Sequence, residues 1–260
     1  MTQAIQANLY DYPKYYDLLF GSDWKAEFDF LLGCFDRYAR CEVQRVFEPA
    51  CGTGRLLIKL AQAGYEVAGN DLNPKAVDYC NRRLARAGFP ESTVIGDMAN
   101  FTVKKKFHAA FNTINSFRHL DSERAAEAHL QCIAQGLTKG GLYILGLHLL
   151  PTKGDRVDHE EWVARRGHLQ VNSAMWLKNL DTKKRNEQLG MTFDVFTPTK
   201  HVRLEDEMNY RTYTRKQFEK LLATCPQLEP VAVHDFHYDL TTEVTITDYT
   251  EDVVFVLRKK

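Results

Sequence analysis

Four side chains have the types and spacing to bind a ligand. Glu48 stands at the head of a glycine loop, "FEPACGTGRL" (residues 47–56), and Asp71, Asp97 and Asn112 follow at the ends of later apolar runs. The loop does not suit phosphate. A P-loop needs Lys-Ser/Thr after its last glycine, and here Arg55-Leu56 follow Gly54. Ala50, Gly52 and Gly54 are spaced two and two, which is not the GxGxxG dinucleotide pattern. Glu48 also places negative charge where a pyrophosphate would lie. Asp71 sits roughly 20 residues beyond Glu48, the separation at which a carboxylate accepts from ribose hydroxyls. Asp97 can accept from the exocyclic amine of adenine, and Met98 can pack on its ring. The ligand so described carries a ribose, a purine and a cationic part near Glu48.

These groups must be held by strand ends. Residues 43–50 read as a buried strand, 56–63 as a helix stopped by Gly64, and 65–69 as a second strand ending at Asn70-Asp71. Asn73-Pro74 supplies a cap and first-turn proline for a helix running to Ala87. Strands follow at "STVIG", at 107–113 and at 140–150, with a helix over 122–136 before the last of these. The alternation predicts a mostly parallel sheet with helices on both faces. Ligands bind such sheets beyond the carboxyl ends of the strands, where Glu48, Asp71, Asp97 and Asn112 stand.

Upstream, residues 15–39 carry apolar residues at helical spacing. The rhythm breaks after Leu150. Residues 151–168 read as a polar loop or short helix. Three strand-like runs within 169–212 predict an antiparallel β insertion. A helix (215–225) and strands at 230–236 and 252–258 complete the pattern.

The 260 residues hold 34 Lys+Arg and 34 Asp+Glu, so no basic excess points to nucleic acid. The six cysteines show no CxxC spacing and no Cys/His cluster, so no metal site is expected, and reduced thiols imply a cytoplasmic protein. The N-terminus lacks the pattern of a signal peptide, and no apolar run approaches the ~20 residues of a membrane span.

In these motifs the chain resembles the class I S-adenosylmethionine-dependent methyltransferases. "FEPACGTGRL", "AGNDLNPKAVDYC", "VIGDM", "FNTINSFRHLDS" and "GLTKGGLYIL" occur in family order. The resemblance implies a Rossmann-like, seven-stranded, mostly parallel sheet, with S-adenosyl-L-methionine bound and S-adenosyl-L-homocysteine released. It places Glu48, Ala50, Cys51, Gly52 and Gly54 at the methionine moiety, Asp71 and Leu72 at the ribose, Asp97 and Met98 at adenine, and Asn112 near the methionine amine through its carbonyl. Many members have glycine where Ala50 stands. A methyl group there requires negative φ, so the loop path should be ordinary for an L-residue.

For the acceptor, the fourth strand runs into "NTINSFRHL" rather than the (N/D)PP(Y/F) of nucleic-acid amino methylases. "NSFRHL" and "YYDLLF" resemble segments of sugar N-methyltransferases. That makes His119 the candidate base or orienter and Tyr16 a lid residue; the alternative is that Tyr10, Tyr12, Tyr15 and Tyr16 only anchor the N-terminal segment. Trp176, Arg203, Tyr210 and Arg211 are candidate pocket groups on the insertion. The expected organisation is a lid (1–42), a cofactor domain (43–150 and 213–260) and a roof (151–212). The expected partner is a small-molecule acceptor, methylated at N rather than O, with the protein a monomer or homodimer. A protein methyltransferase, a non-catalytic cofactor binder and an NAD-linked dehydrogenase are the alternatives.

Overall fold

The computed structural model describes residues 4–154 and 159–260. Strands β1 (Ala4–Gln6), β2 (Arg45–Pro49), β3 (Glu66–Asp71), β4 (Thr93–Ile95), β5 (Phe107–Asn112), β6 (Leu137–His148), β7 (His159–Arg166), β8 (Leu169–Asp181), β9 (Asn186–Phe196), β10 (His201–Arg211), β11 (Leu228–His234) and β12 (Asp252–Lys259) form two sheets. The larger has seven strands in the order β11-β12-β6-β5-β2-β3-β4. All neighbours in it are parallel except the two pairings of β12, which runs antiparallel to β11 and β6. The strand order reverses at β2, between β3 and β5, so the glycine loop leaves the sheet at its topological switch point.

Alternation along the strands divides the core in two. Phe47, Tyr143, Leu145 and Phe255 face helices α5 (Glu123–Gly136) and α6 (Arg215–Ala223). Val46, Ile144 and Val254 face α2 (Lys25–Tyr38), α3 (Arg55–Gln62) and α4 (Pro74–Arg86). Asn73 caps α4 by accepting from the Lys75 and Ala76 amides, and Pro74 fills its first turn. Thr214 and Gln217 make a capping box on α6.

The second sheet has the order β1-β10-β9-β8-β7. It corrects the loop expected over 151–168: residues 159–166 are strand β7, paired with β8. Its charged sequence, "HEEWVARR", hid it, because an edge strand needs little apolar surface. Residues 155–158 of that expected loop lie outside the described residues. So do residues 1–3 of the N-terminal segment, whose Ala4–Gln6 pair in parallel with β10. The inner face of this sheet (Val171, Met191, Phe193, Leu204) packs on Leu9 and on Leu18 and Leu19 of helix α1 (Pro13–Phe20).

One buried ion pair joins the two sheets. Arg118, in the 3₁₀ turn Ser116–His119 after β5, contacts Glu187 on β9, and the side chains are 4% and 5% exposed. Glu123 on α5 adds bonds from Arg185 (2.6 Å) and Arg211 (2.9 Å). Removing one partner of a buried pair strands a charge. Glu187→Ala is therefore expected to lower the unfolding free energy by about 3–5 kcal/mol. In urea titration, joint replacement of Arg118 and Glu187 by Met and Leu should cost less than the single change.

Candidate active site

The glycine loop turns through three left-handed residues. Ala50, Gly52 and Gly54 have φ of 50°, 52° and 66°. For Ala50 this overturns the expectation of negative φ: the turn at the switch point forces the left-handed conformation on an alanine, at a cost of about 1–2 kcal/mol. Gly54 is fixed twice over. A Cβ there would stand 2.2 Å from Cys80 Sγ, in addition to the φ penalty. Cys51 is buried, and its amide donates to the Asn70 carbonyl (2.9 Å), which holds the loop against β3.

Asp71 organises the next edge. Its Oδ2 accepts from the Gly52 amide (2.8 Å) and its Oδ1 from the Asn73 amide (2.8 Å). The first bond ties the end of β3 to the glycine loop. Each oxygen keeps a second lone pair, so a diol can still be bound. Burial raises the Asp71 pKa against those two amide bonds. Leu72 beside it is 69% exposed.

Glu48 is half-buried, but its Oε2 is fully enclosed and has no hydrogen-bond partner. Desolvation pushes its pKa well up, and the Arg55 cation opposes this in part. Arg55 itself is committed to Glu27 and to the Asp23 carbonyl. A buried carboxylate oxygen with no donor fits a cationic or N–H-bearing ligand group.

Asp97 is exposed, and its Oδ1 accepts from the Ala99 amide (2.8 Å). The Met98 side chain is buried in the core cluster on the α5 side. Asn112 is 2% exposed, and its side chain bonds the Pro49 carbonyl and Tyr143.

A second group of side chains lies where the N-terminal segment meets the insertion. Tyr10 Oη and His119 Nε2 are 3.0 Å apart. The Tyr10 ring lies 5.5 Å from Tyr16, and His119 lies 4.7 Å from Tyr210. The Arg118 guanidinium stands 4.8 Å over Tyr210. Tyr10 therefore occupies the position next to His119, more directly than Tyr16. Tyr12 and Tyr15 stack on each other (5.9 Å).

Of the insertion candidates, Tyr210 alone joins this group. Trp176 lies over Gly190, on the opposite face of the sheet from Met191. Arg203 is paired with Asp194 and Glu205, and Arg211 with Glu123. Arg118 and Glu187 were not anticipated. The signal for Arg118 was its place beside His119 in "NSFRHL".

His119 is open to solvent yet crowded by protein on most sides, as a side chain lining a cleft is. That crowding, together with the Arg118 cation, pushes its pKa down to about 4. The imidazole is thus neutral at physiological pH, with Nε2 at hydrogen-bond distance from the Tyr10 hydroxyl. A proton NMR titration should place its midpoint near pH 4; a midpoint near 6.5 would show that water screens the ring fully. Among the described residues no group of three or more His, Cys, Asp or Glu is arranged to hold a metal ion, and no helix is long and apolar enough to cross a membrane.

The switch-point glycine loop, Asp71 at the end of the next strand and the antiparallel β12 belong to the class I methyltransferase fold, a Rossmann-like α/β architecture with helices on both faces. A family model described as "Methyltransferase domain" matches residues 46–141. A solved S-adenosylmethionine-dependent methyltransferase from Clostridium acetobutylicum superposes with TM-score 0.77 at 18% identity, covering 97% of this chain and 99% of that one. CalS10 of Micromonospora echinaspora, an amino pentose methyltransferase, superposes with TM-score 0.73 at 18% identity over the whole of both chains. In sequence the chain is 27% identical over 139 residues to a dTDP-3-amino-3,4,6-trideoxy-alpha-D-glucopyranose N,N-dimethyltransferase of Streptomyces venezuelae. That match spans 52% of this chain and 56% of the relative's length.

Proposed function

We propose that the protein transfers a methyl group from S-adenosylmethionine to a nitrogen of a small-molecule acceptor. The observation that carries this reading is the enclosed, unpartnered Oε2 of Glu48 beside a loop whose next acid is Asp71. In this reading Glu48 receives the ammonium end of the cofactor, and the Ala50–Gly54 backbone passes close to its methionine part. Asp71 holds the ribose diol beside Leu72. Asp97 takes the adenine amine, with Met98 behind the ring. The cofactor supplies a methyl group already activated as a sulfonium, so the protein's task is to position a nucleophile in line.

Residues 43–150 and 213–260 form the cofactor domain in this reading. The insertion over 151–212 roofs the acceptor, and residues 1–42 act as a lid. His119, neutral and beside Tyr10 and Tyr210, orients the acceptor amine by a hydrogen bond, and Tyr16 closes the aromatic wall. Two named relatives act on amino sugars, which supports a search among amines.

Calorimetry tests the cofactor directly. Asp71→Ala should weaken S-adenosylhomocysteine binding by about 1–3 kcal/mol, and unchanged affinity would remove Asp71 from the site. Binding an ammonium beside Glu48 stabilises the carboxylate and lowers its raised pKa, so wild-type protein should release protons on binding at pH values between the bound and the free pKa. Glu48→Gln should abolish that release, measured in buffers of different ionisation enthalpy. A methyl-transfer screen over amino sugars, amino acids, amines and phenols should then yield an amine acceptor. With it, His119→Ala should cut kcat by about 10²-fold with little effect on cofactor affinity.

A further inference from the structure

Behind the two ligand-binding loops runs a buried chain of hydrogen bonds. The Met98 carbonyl lies 2.8 Å from His129 Nδ1, and His129 Nε2 lies 2.7 Å from the Tyr143 hydroxyl. That hydroxyl lies 2.8 Å from Asn112 Oδ1, and Asn112 Nδ2 donates to the Pro49 carbonyl. His129 and Tyr143 are fully buried and Asn112 nearly so. The ends of the chain are informative. Met98 belongs to the loop after β4, beside Asp97. Pro49 heads the glycine loop. Three side chains from α5, β6 and β5 thus connect the two ends of the proposed cofactor site.

The chain is one proton short. Both ends are carbonyls, which only accept. The chain has four links and each needs a proton. The Asn112 amide and the Tyr143 hydroxyl supply one each, and a neutral imidazole supplies one. Turning the Asn112 amide over moves the gap without filling it. Burial pushes the His129 pKa down to about 4, against the pull of the Met98 carbonyl and Asp97, so the ring is neutral at physiological pH. Phe117 and Tyr143 are its remaining ring neighbours, and Asp97 is the charged group that acts on it. With the proton on Nδ1, the Met98 link closes and the Tyr143–Asn112 link opens. With the proton on Nε2, the reverse holds.

We propose that His129 and Tyr143 are positioning residues that couple the adenine loop to the methionine loop by sharing one ring proton between them. The proposal rests on the cofactor reading above. Tyr143→Phe tests it, since it removes the hydroxyl and leaves the packing volume nearly unchanged. The Met98 carbonyl then becomes the ring's sole partner in the chain, and Asn112 loses its donor.

Two readouts are expected. Affinity for S-adenosylhomocysteine, which spans both loops, should fall about fivefold, the equivalent of one hydrogen bond of about 1 kcal/mol. Affinity for adenosine, which occupies one end only, should not change. In ¹⁵N spectra of ligand-free protein, wild-type His129 should show both neutral tautomers, averaged or as two sets, and the variant only Nδ1–H. Equal loss for both ligands, no loss for either, or identical His129 spectra would overturn the coupling. A wild-type protein that binds neither ligand would overturn the cofactor reading, and this proposal with it.

Discussion

The architecture depends on the pairing of Arg118 with Glu187. These charges, nearly removed from water, lie where the seven-stranded sheet meets the insertion sheet. Neither residue can be moved far without leaving a buried charge alone. The pair also fixes the short turn that ends in His119, and the Arg118 guanidinium lies over the ring of Tyr210. This ionic contact helps dock the insertion, fixes the turn that carries His119 and adds to the crowding that keeps that histidine neutral. The N-terminal segment closes the arrangement. Asp206 on β10 accepts from the Leu9 amide (2.8 Å), Asp11 bonds Asn73 and Lys75 at the start of α4, and Tyr10 reaches His119 between them.

The glycine loop is built against local preference. Ala50 adopts a conformation that glycine would adopt at less cost, and Glu48 keeps a carboxylate oxygen enclosed without a donor. Both features lie within three residues at the switch point, and both are unfavourable in isolation. Surrounding contacts hold them: the Cys51 amide on Asn70, the Gly52 amide on Asp71 and the closed approach of Gly54 to Cys80. A left-handed alanine and an unsatisfied carboxyl group concentrated in one loop fit the proposed ligand site, where a ligand would supply the missing partner.

Much of the fold was legible because the large sheet is buried on both faces. Its strands read as continuous apolar runs bounded by Gly, Asn and Pro, and the Asn73-Pro74 cap falls where it was expected. Strand β7 was not legible, because an exposed edge carries Glu and Arg as readily as a loop does. The path at Ala50 was misjudged for a related reason. Residue type gives a preference for φ, but the turn between β2 and α3 sets its value. The contribution of Arg118 was missed because its partner Glu187 lies 69 residues away in the chain.

Sequence alone determined the periodicities, the caps and the acids at the strand ends, since these are local properties of residue type and spacing. It also supplied His119, Tyr16 and Tyr210 as separate candidates, and Tyr10 only as an anchor of the N-terminal segment. Tertiary structure decided which of them meet. It brought Tyr10 to His119 across 109 residues, set Trp176 and Arg203 on the far face of the insertion, and threaded His129, Tyr143 and Asn112 into one buried chain. Hydrogen bonds and ion pairs act over a few ångströms, and only folding brings such distant residues that close.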